Sequence, residues 1–272
     1  MNQKSLPHKA IIDWLTTVAI AAIAISLTIA FHEGIHALAC FVTGGDLQEY
    51  SALHVSCDAS GIWQGKVVAG SASISNLILG AVCLLVLRRT HHQSPERQFF
   101  LWLFMLMNWL NGAGYWMFSG IANIGDWAVV IEGWQPHWLW RVIMTIAGTG
   151  IYVFLVWFAL HELGKIIGGD ASEQIGRANK LGLLAYVTSA LVVLLAGVFN
   201  PYGMASLPVI AGLLAVLGGL SPLLWMMQWF RANSFVKVPT MPLEIHRQGS
   251  WIIVAGIVVI VYGFVLGRTL YF

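Results

Sequence analysis

The chain has 272 residues, of which 58% are hydrophobic and only 10% charged, against about 25% charged in an ordinary soluble domain. Water is therefore not its main solvent, and the composition excludes a soluble globular protein. A net charge of +2 is too small to argue for a nucleic-acid partner, so the partner expected first is the lipid bilayer.

A helix that crosses lipid needs about 20 predominantly apolar residues. Segments 11–43, 67–87, 98–120, 141–160, 181–199, 204–230 and 250–270 qualify. They predict an all-α, polytopic transmembrane helix bundle of about seven spans. Lys4 and Lys9 precede the first run, which is longer than a signal peptide's apolar stretch and carries a polar motif; it reads as a retained span. Small residues such as Gly70, Ser71, Ala72 and Ser73, and Gly218 with Gly219, allow helices to approach closely in lipid. Trp134, Trp138 and Trp140 around Pro136 read as an anchor at the membrane surface.

Between these spans, Lys and Arg divide 11 to 3 between the two sides. The richer side includes Lys4, Lys9, Arg88, Arg89, Arg97, Lys165, Arg177, Lys180, Arg231, Lys237 and Arg247; the poorer side has Lys66, Arg141 and Arg268. By the positive-inside rule the N-terminus of this multi-pass protein is cytoplasmic and its C-terminus is outside. Cys40 and Cys83 lie in apolar runs and read as small buried hydrophobes, while Cys57, in the polar segment 46–66, reads as a free thiol. His54 and Cys57 are candidates for the entrance to a site, and His91 and His92 read as solvated.

The polar motif is His32-Glu33-Gly34-Ile35-His36, near the outer end of the first span. On a helix, residues i and i+4 share a face, so both imidazoles can reach one metal ion. Glu33 beside them can act as the general base toward water, the logic of HExxH. Ionisable and strongly polar groups within a span cost about 2.5–3.5 kcal/mol each on insertion scales, so packing alone does not account for three of them on adjacent turns. Catalytic zinc sites usually take three protein ligands. Asp126, in Asn123-Ile124-Gly125-Asp126-Trp127, is the best third candidate, because it falls on the outer side where the first span also ends; Glu132 is the fallback. Gly125 allows an unusual backbone turn there, and Asn123 can hold the Asp126 carboxylate or a substrate backbone. In the third span Asn108 and Asn111 share a face and can hydrogen-bond a neighbouring helix or a substrate.

With these residues in hand, the chain resembles the site-2 protease family of intramembrane zinc metalloproteases, in a divergent form. His32-Glu33-Gly34-Ile35-His36-Ala37 followed by Gly44-Gly45 is similar to the family's HExGHA…GG stretch, with Ile35 where Gly is usual. Ala69 to Asn76 is similar to its AGPxxN segment, with Ser71 in place of Pro, and Asn123 to Asp126 is similar to the motif that supplies the last ligand, with Gly before rather than after Asp. The resemblance covers roughly residues 25–130. It implies Zn2+ held by His32, His36 and Asp126, Glu33 as general base, and cleavage of peptide bonds in transmembrane or membrane-associated protein substrates. Asn76 and Asn123 become candidate substrate-binding residues. The family's site is usually described as opening to the cytoplasm, whereas the charge count puts this one nearer the outer face.

On this reading 1–130 forms the zinc-site membrane core, and 131–272 a C-terminal transmembrane half. That half contains an echo of the motif, His161-Glu162 followed by Gly168-Gly169-Asp170, consistent with a degenerate inverted repeat. Lys165 replaces the second histidine there, so this copy is expected to hold no metal and to form an ion pair or a helix end. Two other functions fit the sequence: a transporter or channel built on inverted repeats, or a catalytically silent, zinc-stabilised membrane scaffold.

Overall fold

The computed structural model describes residues 11–90, 93–169, 171–229 and 241–272. Lys4, Lys9, His91, His92, Asp170, Arg231 and Lys237 therefore lie outside the described residues. In chain order come α1 (Trp14–Val42), β1 (Asp46–Tyr50), β2 (Val55–Asp58), α2 (Ile62–Arg89), α3 (Pro95–Ala122) and a short α4 (Asp126–Val130). Then follow α5 (His137–Ile167), α6 (Ala171–Val198), α7 (Leu207–Leu217) and α8 (Pro222–Trp225), which runs into a 3-10 turn (Met226–Trp229). The last helix, α9 (Gly249–Ile260), continues through a π-helical turn (Val261–Val265) and a 3-10 turn (Leu266–Arg268) to β3 (Leu270–Tyr271).

Among the described residues, six helical stretches are long and apolar enough to cross a membrane: α1, α2, α5, Glu173–Val198, Leu207–Gln228 and Gly249–Arg268. The protein is a multi-pass integral membrane protein, a helical bundle that is nearly all-α. The third predicted span, 98–120, is helical as α3, 28 residues long, but it is less apolar than the other six. Asn108 and Asn111 lower its hydropathy, and Trp102, Leu103, Leu106, Met107 and Leu110 are fully buried. It packs along both α2 and α5, so its surroundings are protein. A polar residue that lipid would penalise is tolerated there because neighbouring helices supply partners.

One apolar cluster runs from Ile20 in α1 to Tyr262 beyond α9, so the two halves divided at 130/131 share a core. α1 passes through it, packed on α2, α3, α6 and α9. Its entry is fixed by Asp13, whose carboxylate accepts hydrogen bonds from Thr16 N–H (2.9 Å) and the Thr16 hydroxyl (2.8 Å). Arg247, from the chain just before α9, meets the same carboxylate at 3.0 Å. The Thr16 backbone bond, with Arg247, holds the Asp13 carboxyl below its usual range although partial burial opposes this. Its contribution is therefore complete above the usual aspartate pKa and fades as pH falls through the lowered value. Asp13→Ala is expected to cost about 1 kcal/mol, read as earlier thermal unfolding in detergent, with Asp13→Asn retaining most of the cap; equal melting of Asp13→Ala and wild type would remove the cap from the account.

The polar segment after α1 folds as a β1–β2 hairpin, and β3 joins it to give a three-stranded antiparallel sheet in the order β2-β1-β3. Its short strands alternate too weakly in sequence to be predicted. Cys57 corrects a second expectation: it is not a free thiol but is joined to Cys40 in a disulfide. The hairpin folds back onto the end of α1, which brings a cysteine of the polar segment against one of the span. Gly45 lies where a Cβ would come within 2.8 Å of the Cys57 sulfur and 3.0 Å of the Cys40 sulfur, so Gly is required at this approach. The hairpin's tip is also tied to the last helix, Ala52 N–H donating to Leu266 C=O (3.0 Å) and the Tyr262 hydroxyl to Ala52 C=O (3.2 Å).

At the opposite end of the bundle lies the echo motif. Glu162 is buried and paired with Arg88 (2.5 Å) and Lys165 (2.7 Å), which is the ion-pair form of the expectation for this segment. His161 stacks on Trp157.

Candidate metal centre

His32 and His36 sit ten and six residues before the end of α1 at Val42, about 15 and 9 Å inside the helix end. Both are buried, at 1% and 8% exposure. Their Nε2 atoms lie 3.2 Å apart. Asp126 brings its Oδ2 to 3.2 Å from His32 Nε2 and 3.4 Å from His36 Nε2. Three ligand atoms on a tetrahedron around zinc, with bonds of about 2.0–2.1 Å, stand about 3.3 Å apart. The side chains thus already form the triangle that such an ion requires, and among the described residues they are the cluster that can hold a metal.

Hydrogen bonding fixes which ring atoms are available. His36 Nδ1 lies 2.8 Å from Val68 C=O and His32 Nδ1 2.8 Å from Asn76 Oδ1. Both partners are acceptors, so each ring donates from Nδ1 and turns its Nε2 lone pair toward the other ring and the carboxylate. Asp126 Oδ2 is itself buried with no hydrogen-bond donor among the described residues. Lone pairs converging at this distance repel one another unless a cation or extra protons lie between them. That donor set, nitrogen and carboxylate oxygen in a buried place, is one zinc accepts.

Two elements hold this geometry. On α2, Val68 and Asn76 sit eight residues apart on one face, with Ser73 between them in sequence, so Val68 to Asn76 serves both histidines and, through Trp127, the helix that carries Asp126. Asn76 is fully buried, and both ends of its carboxamide are engaged inside the protein: Oδ1 accepts from His32, and Nδ2 donates to Asn108 Oδ1 at 2.7 Å. Asn108 Nδ2 in turn reaches the Thr28 hydroxyl (3.2 Å) and Phe104 C=O (2.8 Å). The second element is α4. Trp127 donates its indole N–H to the Ser73 hydroxyl at 2.6 Å, and Lys66 Nζ donates to Val130 C=O at 2.9 Å and Glu132 C=O at 2.5 Å. Gly125, at φ +83°, makes the turn that aims Asp126 inward, a backbone region closed to most side chains.

The remaining predicted residues fall as follows. Asn123 ends α3 in the left-handed conformation (φ 57°), and its side-chain oxygen pairs with His137 Nε2 at 2.9 Å. Glu132 is exposed and its side chain is not in the ligand triangle. His54 does not line the cavity beside the histidines, although its neighbour Leu53 does. Sequence reasoning missed Tyr115, whose ring stacks on His32 with centroids 4.7 Å apart. It follows Asn108 and Asn111 at i+7 and i+4, the spacing that places all three on one face of α3.

Glu33 is 6% exposed. Its carboxylate makes no hydrogen bond among the described residues and borders a cavity with His32, Asn111 and Tyr115. A carboxylate kept this dry and unpartnered beside a metal-ligand triangle is equipped to exchange protons with a molecule in that cavity. Comparison of the chain with protein-family models, with curated proteins and with solved structures finds no match.

Proposed function

We propose that the protein is an intramembrane zinc peptidase, similar to the site-2 proteases, that hydrolyses peptide bonds of transmembrane or membrane-associated proteins. The observation that carries this reading is the triangle of His32 Nε2, His36 Nε2 and Asp126 Oδ2, with Glu33 unpartnered next to it. A bound zinc supplies Lewis acidity, polarising a carbonyl and making water acidic enough to act near neutral pH. His32 and His36 would offer their Nε2 atoms to the ion, held from behind at Nδ1 by Asn76 and Val68. Glu33 takes a proton from the attacking water as oxygen bonds to the scissile carbonyl carbon. It then passes that proton to the nitrogen as the C–N bond breaks. The surrounding helices keep bulk water away, and a substrate helix has to unwind locally to offer a carbonyl.

The test is Glu33→Gln in purified protein reconstituted in liposomes with a synthetic transmembrane peptide containing Gly and Pro. Zinc content should stay at the wild-type level while peptide cleavage, read by mass spectrometry, falls about 10²–10⁴-fold. Cleavage that survives unchanged would reject Glu33 as the base. No cleavage by wild type, with ion flux across the liposome altered instead, would favour the transporter.

We also infer that the site lies toward the outer face, with the N-terminus cytoplasmic. The charge distribution supports this, and so does the Cys40–Cys57 disulfide at the same end of α1, since such bonds persist on the oxidising side of a membrane. After reduction of intact cells, a membrane-impermeant maleimide should label Cys40 and Cys57. Labelling that requires permeabilised cells would invert the orientation.

A further inference from the structure

The cavity beside Glu33 is not explained by metal binding. It lies where α1, α3 and α7 meet. Its polar wall is His32, Glu33, Asn111 and Tyr115; its apolar wall includes Ala211 and Ala215 of α7. Asn111, unlike Asn108, makes no side-chain hydrogen bond among the described residues. An amide lining a cavity inside a membrane protein without a partner is costly unless something else completes its bonding.

α7 is built unevenly. Leu207, Ile210, Leu214 and Leu217 are exposed, as lipid-facing residues are, while the face toward Glu33 carries Ala211, Gly212 and Ala215. Larger side chains on that face would fill the cavity. The helix is held mainly by α6, where Val209 is buried against Gly197 and the Tyr186 hydroxyl donates to Leu217 C=O at 2.9 Å. Toward α3 it makes only a slight contact and borders the cavity.

We propose that this cavity is the substrate subsite that takes an apolar side chain next to the scissile bond, with Ala211 and Ala215 setting its size and Asn111 binding the main chain of the same residue. The proposal rests on the peptidase reading for its occupant. It assigns specificity to α7, which carries none of the metal-ligand or general-base residues.

The test uses transmembrane peptides identical except for one central residue, Ala, Leu or Phe, with the full-length protein in liposomes. Ala215→Leu should lower kcat/KM for the Leu and Phe peptides at least about tenfold more than for the Ala peptide. Asn111→Ala should lower all three by a similar factor, and both variants should bind zinc like wild type. Equal losses on all peptides for Ala215→Leu, or no loss for Asn111→Ala, would overturn the subsite. A second measurement is independent of turnover: in Glu33→Gln protein, a peptide with a photo-reactive leucine at the varied position should label residues 211–215, and labelling only elsewhere would overturn the proposal. If wild type cleaves none of the peptides the hydrolase reading fails by itself, and the labelling pattern still decides whether α7 binds them.

Discussion

With the proposed zinc site, Asp126→Ala should leave the purified protein nearly metal-free where wild type holds about one zinc per chain. The two imidazoles of α1 remain in place in this variant, because Asn76 and Val68 hold them from the other side. What disappears is the only anionic ligand of the triangle, and with it the charge that offsets a divalent cation in a buried place. Asp126→Asn is expected to weaken binding severely as well, since it keeps the volume and an oxygen but removes that charge. Glu132→Ala should leave zinc content unchanged, because the Glu132 side chain is exposed and contributes only its backbone carbonyl, to Lys66. Metal analysis of these three proteins beside His36→Ala checks the whole assignment. Full occupancy in Asp126→Ala would remove the third ligand, and equal loss in Glu132→Ala would show that the loop, not the carboxylate, is being measured.

The sequence made the α1 part of the site legible because both histidines belong to one helix, where spacing alone dictates their proximity. Asp126 was legible for a coarser reason: it falls at the end of a span on the side where α1 also ends, after a glycine that permits a turn. The membrane bundle followed from composition. What stayed hidden depends on contacts between elements. The Cys40–Cys57 disulfide needs the polar segment to fold back on α1, and no local pattern announces that. Asn108 and Asn111 look alike in sequence, yet one is bonded to Asn76 and Thr28 while the other lines a cavity; only the rotation of α3 against its neighbours separates them. α3 reads in sequence as a seventh span, 98–120, yet its asparagines leave it less apolar than the other six and its large apolar residues are buried in the bundle.

Asn76 offers the second large effect, and it separates two roles. As a substrate contact it would leave metal binding untouched when removed. Its position points to positioning instead, because its oxygen accepts the His32 Nδ1 hydrogen and its nitrogen is occupied by Asn108. Groups that hold a metal-ligating histidine from behind typically contribute 10–100-fold in metal affinity. Asn76→Ala should therefore weaken zinc affinity by about that factor, measured by competition with a chelator, and cleavage at saturating zinc should recover in part. Asn108→Ala removes one link further out and should weaken zinc less. The double variant is the decisive protein. If Asn108 acts only through Asn76, the Asn76→Ala/Asn108→Ala protein will bind zinc no more weakly than Asn76→Ala alone, whereas independent contributions would multiply. Cleavage lost in Asn76→Ala with zinc affinity unchanged would return Asn76 to the substrate, and the chain from Thr28 through Asn108 would then be packing that the metal does not feel.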